Sequence, residues 1–150
     1  MIRIKKLKNN NSIHLKADKE TFQDFIDFLE EKLSELCPED FNIMKFLIVS
    51  EEIIVNICNY AYEDINVKDN YLEINVEIEN NTLKVIFIDE GKPFNPIQYD
   101  VDNRGLPIDE KQIGGLGLIL IKEFVDNVRY EYKDNKNILI IEKELGNVKL

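Results

Sequence analysis

Residues 43–62 read IMKFLIVSEEIIVNICNYAY, and this stretch decides the fold class. Most of its side chains are apolar, which predicts a helix that is largely buried. At helical spacing five polar residues in and just before this stretch fall within a wedge roughly 100° wide, whereas Ser50 and Glu51 lie elsewhere; the five are Asn42, Lys45, Glu52, Asn56 and Asn59. Glu52 and Asn56 are four residues apart and therefore lie one turn apart on the same face. Two interpretations stay open: a polar stripe that faces solvent, or a buried helix that presents a carboxylate and an amide to a ligand.

Further elements are predicted on both sides of this helix. On the N-terminal side we expect strands at residues 2–7 and 12–16, and then a helix that Asp18 caps and Cys37-Pro38 ends. The central helix is predicted to start at Pro38 and to run to about Tyr62. On the C-terminal side we expect a hairpin of residues 71–78 and 82–88, a helix over 116–127, and a hairpin of residues 128–133 and 137–145.

Helices next to hairpin-connected strands predict an α+β fold: a two-layer α/β sandwich, with the helices on one face of a mixed, mainly antiparallel sheet. The length of 150 residues predicts one domain, residues 1–150. Residues 89–115 have no sustained periodicity and hold three of the four prolines. A loop of that length in a compact domain indicates a functional lid.

The charge balance excludes several classes of function. With 29 acidic and 19 basic residues the net charge is −10, which argues against nucleic acid and anionic membrane as partners. No apolar run approaches the ~20 residues of a membrane span. Cys37 and Cys58 are interpreted as thiols of a reducing cytoplasm, and a single histidine argues against a zinc site.

A second polar cluster, DEGKPFNP at residues 89–96, follows an apolar strand directly. A carboxylate at the end of a strand can accept a hydrogen bond from the exocyclic amine of a purine. Gly91 would then let the base approach the backbone closely. A plain turn is the alternative, because Asp, Gly and Pro are common turn residues.

The third cluster, IGGLGL at residues 113–118, opens a predicted helix. Glycines before a helix leave backbone N–H groups at the positive end of its dipole, where phosphate binds. The spacing matches neither G-x-G-x-x-G nor the P-loop, so both readings fail. A flexible hinge is the alternative.

In this order the three clusters resemble the GHKL ATPases, the Bergerat ATP-binding fold. Within that superfamily the chain is most similar to the anti-sigma-factor serine/threonine kinases of the RsbW and SpoIIAB group (HATPase_c_2), over residues 18–145. The resemblance implies that Glu52 is the general base, that Asn56 holds Mg²⁺, and that Asp89 binds the adenine amine of ATP. Gly91 would give the base room.

The resemblance also assigns the remaining nucleotide contacts and an ATP lid at residues 97–113. The further contacts are Asn59, Phe94, Arg104, Gly114, Gly115, Leu116 and Gly117, with Lys111 as a second candidate for the γ-phosphate. The implied phosphoacceptor is a STAS-domain anti-anti-sigma protein, and the implied second partner is a sigma factor. A cytoplasmic homodimer without direct nucleic-acid or membrane contact is the expected arrangement.

One position departs from the family pattern. The family usually carries a basic residue or histidine four positions after Asn56, and this chain has Tyr60. A neutral phenol cannot neutralise phosphate charge, which favours an alternative: a catalytically weak ATP-binding module that switches a protein partner without phosphotransfer. A detached histidine-kinase catalytic domain is a third hypothesis; the chain leaves no room for a phosphoacceptor helix, and His14 falls in a strand pattern.

Overall fold

The computed structural model describes residues 11–95 and 123–146. Within these ranges five strands form one sheet in the order β1-β2-β3-β5-β4, and two α-helices and a π-helical turn accompany it. The elements are β1 (Ser12–Lys16), α1 (Phe22–Leu36), α2 (Ile43–Asn56), the π-turn (Ile57–Ala61), β2 (Tyr71–Glu79), β3 (Thr82–Asp89), β4 (Asn127–Lys133) and β5 (Lys136–Glu144).

The two helices pack on one face of the sheet and form the core with it. In β3 every second side chain is buried, as expected for a strand with one face on a core: Leu83, Val85, Phe87 and Asp89. These side chains join Phe25 of α1 and Ile54 of α2 in one apolar cluster, apart from the polar Asp89. All four strand pairings among the described residues are antiparallel. The predicted fold class is therefore confirmed.

Two tight turns close the hairpins of the sheet. Asn80 and Asn81 have φ of 54° and 64°, and Asp134 and Asn135 have φ of 55° and 65°. Two successive residues with positive φ form the turn that matches the twist of paired strands, and Asn and Asp tolerate that conformation. The strands predicted around both turns are confirmed to within one or two residues.

The helix starts differ from the predicted ones. Asp18 is not the N-cap of α1, because its carboxylate accepts hydrogen bonds from the backbone of Glu20 and Thr21 in a turn before the helix. Thr21 occupies the N-cap position. Pro38 does not start α2: its carbonyl accepts from Phe41 N–H in a separate turn, and Asn42 caps the helix by accepting from Lys45 N–H at 3.1 Å.

The far end of the central helix also differs. The α-helix ends at Asn56, and the chain continues as the π-turn instead of as α-helix to Tyr62. The helix predicted over 116–127 does not extend to Asn127, since Asn127 already begins β4. The predicted strand at residues 2–7, the lid at 97–113 and most of that last helix lie outside the described residues. No helix in the described ranges is long and apolar enough to span a membrane.

Candidate functional site

A cavity of about 270 Å³ lies where α2, the π-turn, and the adjoining ends of β3 and β5 meet. Its volume is near the lower end of the range for small-molecule sites, about 300–1,000 Å³. The walls are mostly apolar, with a few polar groups. The described residues that line it are Ile53, Asn56, Ile57, Tyr60, Ala61, Glu63, Phe87, Asp89, Lys92, Pro93, Phe94, Tyr130, Asn137 and Leu139.

Asp89 is the buried carboxylate of this cavity, with 4% of its surface exposed. Its Oδ1 accepts hydrogen bonds from Gly91 N–H at 2.8 Å and from Asn137 Nδ2 at 3.0 Å. Burial raises the pKa of Asp89 above its ordinary value, and the two hydrogen bonds oppose that rise. Oδ2 makes no hydrogen bond within residues 11–95 and 123–146, so a donor in the cavity can approach it.

Asn137 ties Asp89 to the loop that follows β3. Its Nδ2 also donates to Lys92 O at 2.9 Å, and its Oδ1 accepts from Phe94 N–H at 3.1 Å and from the Tyr130 hydroxyl. The sequence argument missed this residue. A carboxamide at an inward-facing position, directly before the apolar run at 138–141, was the available signal.

Tyr62 fixes the π-turn against the sheet. Its hydroxyl donates to Tyr71 O at 2.6 Å and accepts from the backbone N–H of Tyr71 and of Glu90, at 3.2 and 2.8 Å. Lys92 N–H donates to Ala61 O at 2.8 Å, which attaches the loop after β3 to the end of the π-turn. These hydrogen bonds attach the end of the π-turn to β2 and to the loop after β3, and so fix these walls of the cavity relative to each other.

Three of the predicted site residues lie together on the cavity wall: Asn56, Asp89 and Phe94. Glu52 is half-buried on α2, one turn before Asn56, and is not part of the lining. Asn59 is exposed and is not part of the lining either.

The sequence predicts that Gly91 leaves space for a base, whereas in the structure Gly91 lies against Ala61. A Cβ on Gly91 would overlap the Ala61 carbonyl and lie 2.6 Å from Ala61 Cβ, so the missing side chain makes room for the π-turn. Space for a base at Gly91 stays a prediction. The other expected contacts, Arg104, Lys111, Gly114, Gly115, Leu116 and Gly117, lie outside the described residues.

The donor set fits a purine nucleotide and its metal ion. An apolar slot with one open carboxylate oxygen suits a flat base that carries an amine. Asn56 lines the same slot, and its amide makes no hydrogen bond in the described part of the chain. An amide oxygen is a ligand that Mg²⁺ accepts, and Mg²⁺ in nucleotide sites needs only one or two protein ligands beside phosphate and water.

Comparison with known proteins identifies the class. The family model described as "Histidine kinase-like ATPase domain" matches residues 15–143. This chain belongs to that family of GHKL ATP-binding proteins, and membership implies ATP binding. No curated protein sequence matches the chain closely enough to count as a relative.

Two solved structures are similar to the fold. One is the crystal structure of the RsbU and RsbW domains of Rv1364c from Mycobacterium tuberculosis, at a TM-score of 0.58 and 13% identity, with 89% of this chain covered. This chain spans 32% of that one. The other is a nucleotide-free catalytic domain of the histidine kinase ThkA, at a TM-score of 0.52 and 16% identity, with 89% of this chain and 96% of that one covered. At these identities the two likenesses establish the fold.

Proposed function

We propose that this chain binds Mg²⁺-ATP in the cavity and transfers the γ-phosphoryl group to a serine or threonine of a STAS-domain anti-anti-sigma protein. The same chain would hold a sigma factor when it is not engaged with that acceptor. One observation carries the nucleotide site: a buried carboxylate and an amide line the same apolar slot, and neither Oδ2 of the carboxylate nor the amide has a hydrogen-bond partner among the described residues. Asp89 would accept from the adenine amine, and Asn56 would hold the metal ion.

Phosphoryl transfer asks mainly for alignment, charge neutralisation and a base for the incoming hydroxyl. Bound Mg²⁺ would supply the neutralisation at the phosphates. Glu52 lies on α2 one turn before Asn56 and on the same face. Its carboxylate has no hydrogen-bond partner among the described residues. A carboxylate in that position can take the proton of an acceptor hydroxyl.

The choice of partners rests on the resemblance to the RsbW group and on charge. An RsbW domain is part of one similar structure, although that likeness carries the fold only. The net charge of −10 suits a basic protein surface such as a DNA-binding region of a sigma factor. A homodimer is part of the same proposal.

A second candidate function follows from Tyr60, which lines the cavity. The family that the chain resembles usually has a basic residue or histidine at this position. Lys92 also lines the cavity, but its Nζ lies 3.9 Å from Glu63 Oε1. If the lid supplies no further positive charge at the phosphates, the chain would bind ATP as a regulatory ligand and transfer its γ-phosphoryl group slowly or not at all.

Thermal unfolding with and without nucleotide tests the binding site. We expect Mg²⁺-ATP at about 100 times its dissociation constant to stabilise the protein by about 2.7 kcal/mol. Asn56→Ala should remove the Mg²⁺ dependence of this shift, and Asn127→Ala is the matched control because Asn127 is exposed on β4 and outside the lining. An unchanged melting temperature at millimolar nucleotide in the parent protein contradicts the proposed site.

Phosphate transfer from labelled ATP to a purified STAS protein separates the two candidate functions. If the kinase proposal is right, Glu52→Gln keeps ATP affinity while transfer falls by about 10²–10⁴-fold. The neighbouring Glu51→Gln, at an exposed carboxylate, should leave transfer unchanged. ATP binding without transfer to any STAS acceptor supports the regulatory module instead.

A further inference from the structure

We infer that Asn137 sets the base specificity of the nucleotide site, by restricting Asp89 to a single open oxygen and thereby selecting adenine over guanine. This inference rests on the proposed function of the cavity and adds a specificity-determining residue to it. Asn137 acts through Asp89, so it is a positioning residue.

The hydrogen bonds of Asp89 are divided unequally between its two oxygens. Oδ1 accepts from Gly91 N–H and Asn137 Nδ2, at 2.8 and 3.0 Å, and these two donors use both of its lone pairs. Oδ2 accepts nothing within the described ranges. The carboxylate therefore presents one acceptor to the cavity, not the two that a free carboxylate presents.

The orientation of the Asn137 amide is fixed by its surroundings. Nδ2 faces three acceptors, namely Asp89 Oδ1 and the carbonyls of Gly91 and Lys92 at 3.3 and 2.9 Å. Oδ1 faces two donors, Phe94 N–H and the Tyr130 hydroxyl. A flipped amide would lose its bonds to Asp89, to the two carbonyls and to Phe94 N–H and could keep only a contact with the Tyr130 hydroxyl, so the N–H group is held against Asp89. Asn137 is 6% exposed and directly opposite Asp89 in the β3–β5 pairing.

The two purines differ in what they offer to such a carboxylate. The edge of adenine has one amine next to a ring nitrogen that accepts, so a single open oxygen satisfies its donor. Guanine carries a carbonyl oxygen where adenine has its amine, and a carboxylate repels that oxygen in the adenine pose. A guanine turned to present its amine and ring N–H offers two parallel donors, which match both oxygens of a carboxylate. With Oδ1 occupied, one guanine donor would be left without a partner.

The walls beside the carboxylate make that missing partner costly. Phe87 is two residues before Asp89 on β3, Leu139 is two residues after Asn137 on β5, and both line the cavity. These side chains cannot accept a hydrogen bond, and a buried donor without a partner is penalised. Asn137 therefore disfavours guanine through Asp89, without contacting the base itself.

The experiment measures the dissociation constants of ATP and GTP for the parent protein and for Asn137→Ala. The parent should bind ATP at least about tenfold more tightly than GTP. Asn137→Ala opens one lone pair of Oδ1, so the preference for ATP should fall by about tenfold. Asn127→Ala is the matched control, because Asn127 on the edge strand β4 donates to Glu142 of β5 at 2.8 Å and does not line the cavity; its ratio should equal that of the parent.

The ratio distinguishes specificity from a general structural effect. A variant that is merely loosened binds both nucleotides less well and keeps the ratio, which overturns the inference. Equal binding of ATP and GTP by the parent overturns it as well, even if Asn137→Ala fails to fold. Binding of neither nucleotide by the parent refutes the proposed function and this inference with it, whereas ATP binding with an unchanged ratio refutes this inference alone.

Discussion

At the residue scale, Gly91 is the less tolerant of a side chain of the two glycines in the described ranges. The overlap of an added Cβ with Ala61 is with backbone and Cβ atoms, which cannot rotate away. We expect Gly91→Ala to lower the free energy of unfolding by about 3 kcal/mol, the upper end of the usual cost of overpacking.

Gly146→Ala is the control for Gly91→Ala. Gly146 has φ of +90° and nothing within 4 Å of an added Cβ, so only backbone strain of about 1–2 kcal/mol applies there. Denaturant unfolding of both variants checks the comparison. Equal losses at the two glycines would mean that the contact with Ala61 is not tight.

The raised pKa of Asp89 predicts an acid-sensitive nucleotide affinity. The ionised carboxylate accepts more strongly from the adenine amine than the protonated acid does, so affinity is highest above the folded-state pKa and falls as the pH falls through it. Because burial puts that pKa above the ordinary 3.8, the loss begins at a higher pH than for an exposed aspartate.

Calorimetric titration with ATP across this pH range tests the Asp89 prediction. Purine riboside triphosphate, which lacks the amine, has the same phosphates and corrects for their own titration. The affinity of this analogue should not show the loss at low pH that protonation of Asp89 causes for ATP. Parallel pH profiles for the two nucleotides would exclude the carboxylate from base recognition.

Single residues of the site differ in how well the sequence predicts them. Asn56 and Asp89 could be predicted to share a site because each falls in a short motif with known spacing. For Asn137 the sequence offers only a weak signal, a lone carboxamide before an apolar run, because its role comes from its place opposite Asp89 across the sheet. Such pairing depends on register between strands far apart in sequence, which local patterns do not encode.

At the scale of elements, the π-turn changes which side chains face the cavity. A π-helix closes its hydrogen bonds over five residues and winds less per residue than an α-helix. The predicted position of Asn59 beside Asn56 assumes α-helical winding throughout, and the winding becomes π-helical after Asn56. Tyr60 lines the cavity and Asn59 is exposed, as looser winding predicts.

The hydroxyl of Tyr62 is the main polar link between the π-turn and the sheet. Tyr62→Phe would leave the N–H groups of Tyr71 and Glu90 without this acceptor, and we expect a loss of about 2 kcal/mol in the free energy of unfolding. ATP affinity should fall too, because Glu90 is the neighbour of Asp89. Denaturant unfolding and titration measure the two effects.

Tyr132→Phe is the matched control for Tyr62→Phe, since Tyr132 is 42% exposed and removal of its hydroxyl should change stability by less than about 0.5 kcal/mol. A similar stability for both variants would show that the hydroxyl of Tyr62 does not hold the turn.

Strands were easier to predict than helix ends. The strand limits follow from alternation and from Asn-rich turns, both of which are local. The start of α2 was misplaced because Pro38 and the acids after it also suit the turn that they form, and only the cap at Asn42 distinguishes the two. The π-turn has no local signal in the sequence that would separate it from the helix before it.

At the scale of the whole molecule, the excess of acidic residues opposes the compact state. A net charge of −10 on 150 residues gives mutual repulsion that salt screens. We expect the free energy of unfolding to rise by about 0.5 kcal/mol, the scale of exposed charge interactions, between about 0.02 M and 0.3 M NaCl.

A double variant tests whether repulsion is the cause of that salt effect. Glu30 and Glu31 are exposed on α1, and Glu30→Gln with Glu31→Gln reduces the net charge from −10 to −8. This variant should be more stable at low salt and less sensitive to added salt than the parent. If salt instead destabilises the parent, attractive ion pairs dominate the surface.

The place of β5 between β3 and β4 has a consequence for biosynthesis. The cavity takes its walls from residue 53 through to residue 139, so the ribosome must release the chain beyond residue 139 before any ligand can meet the complete cavity. In a nascent chain from which only β1, β2 and β3 have emerged, β3 is an unpaired edge of the sheet, because the β4–β5 hairpin is still missing. Nucleotide can therefore bind only after β5 has paired with β3, and it cannot guide the earlier steps of folding.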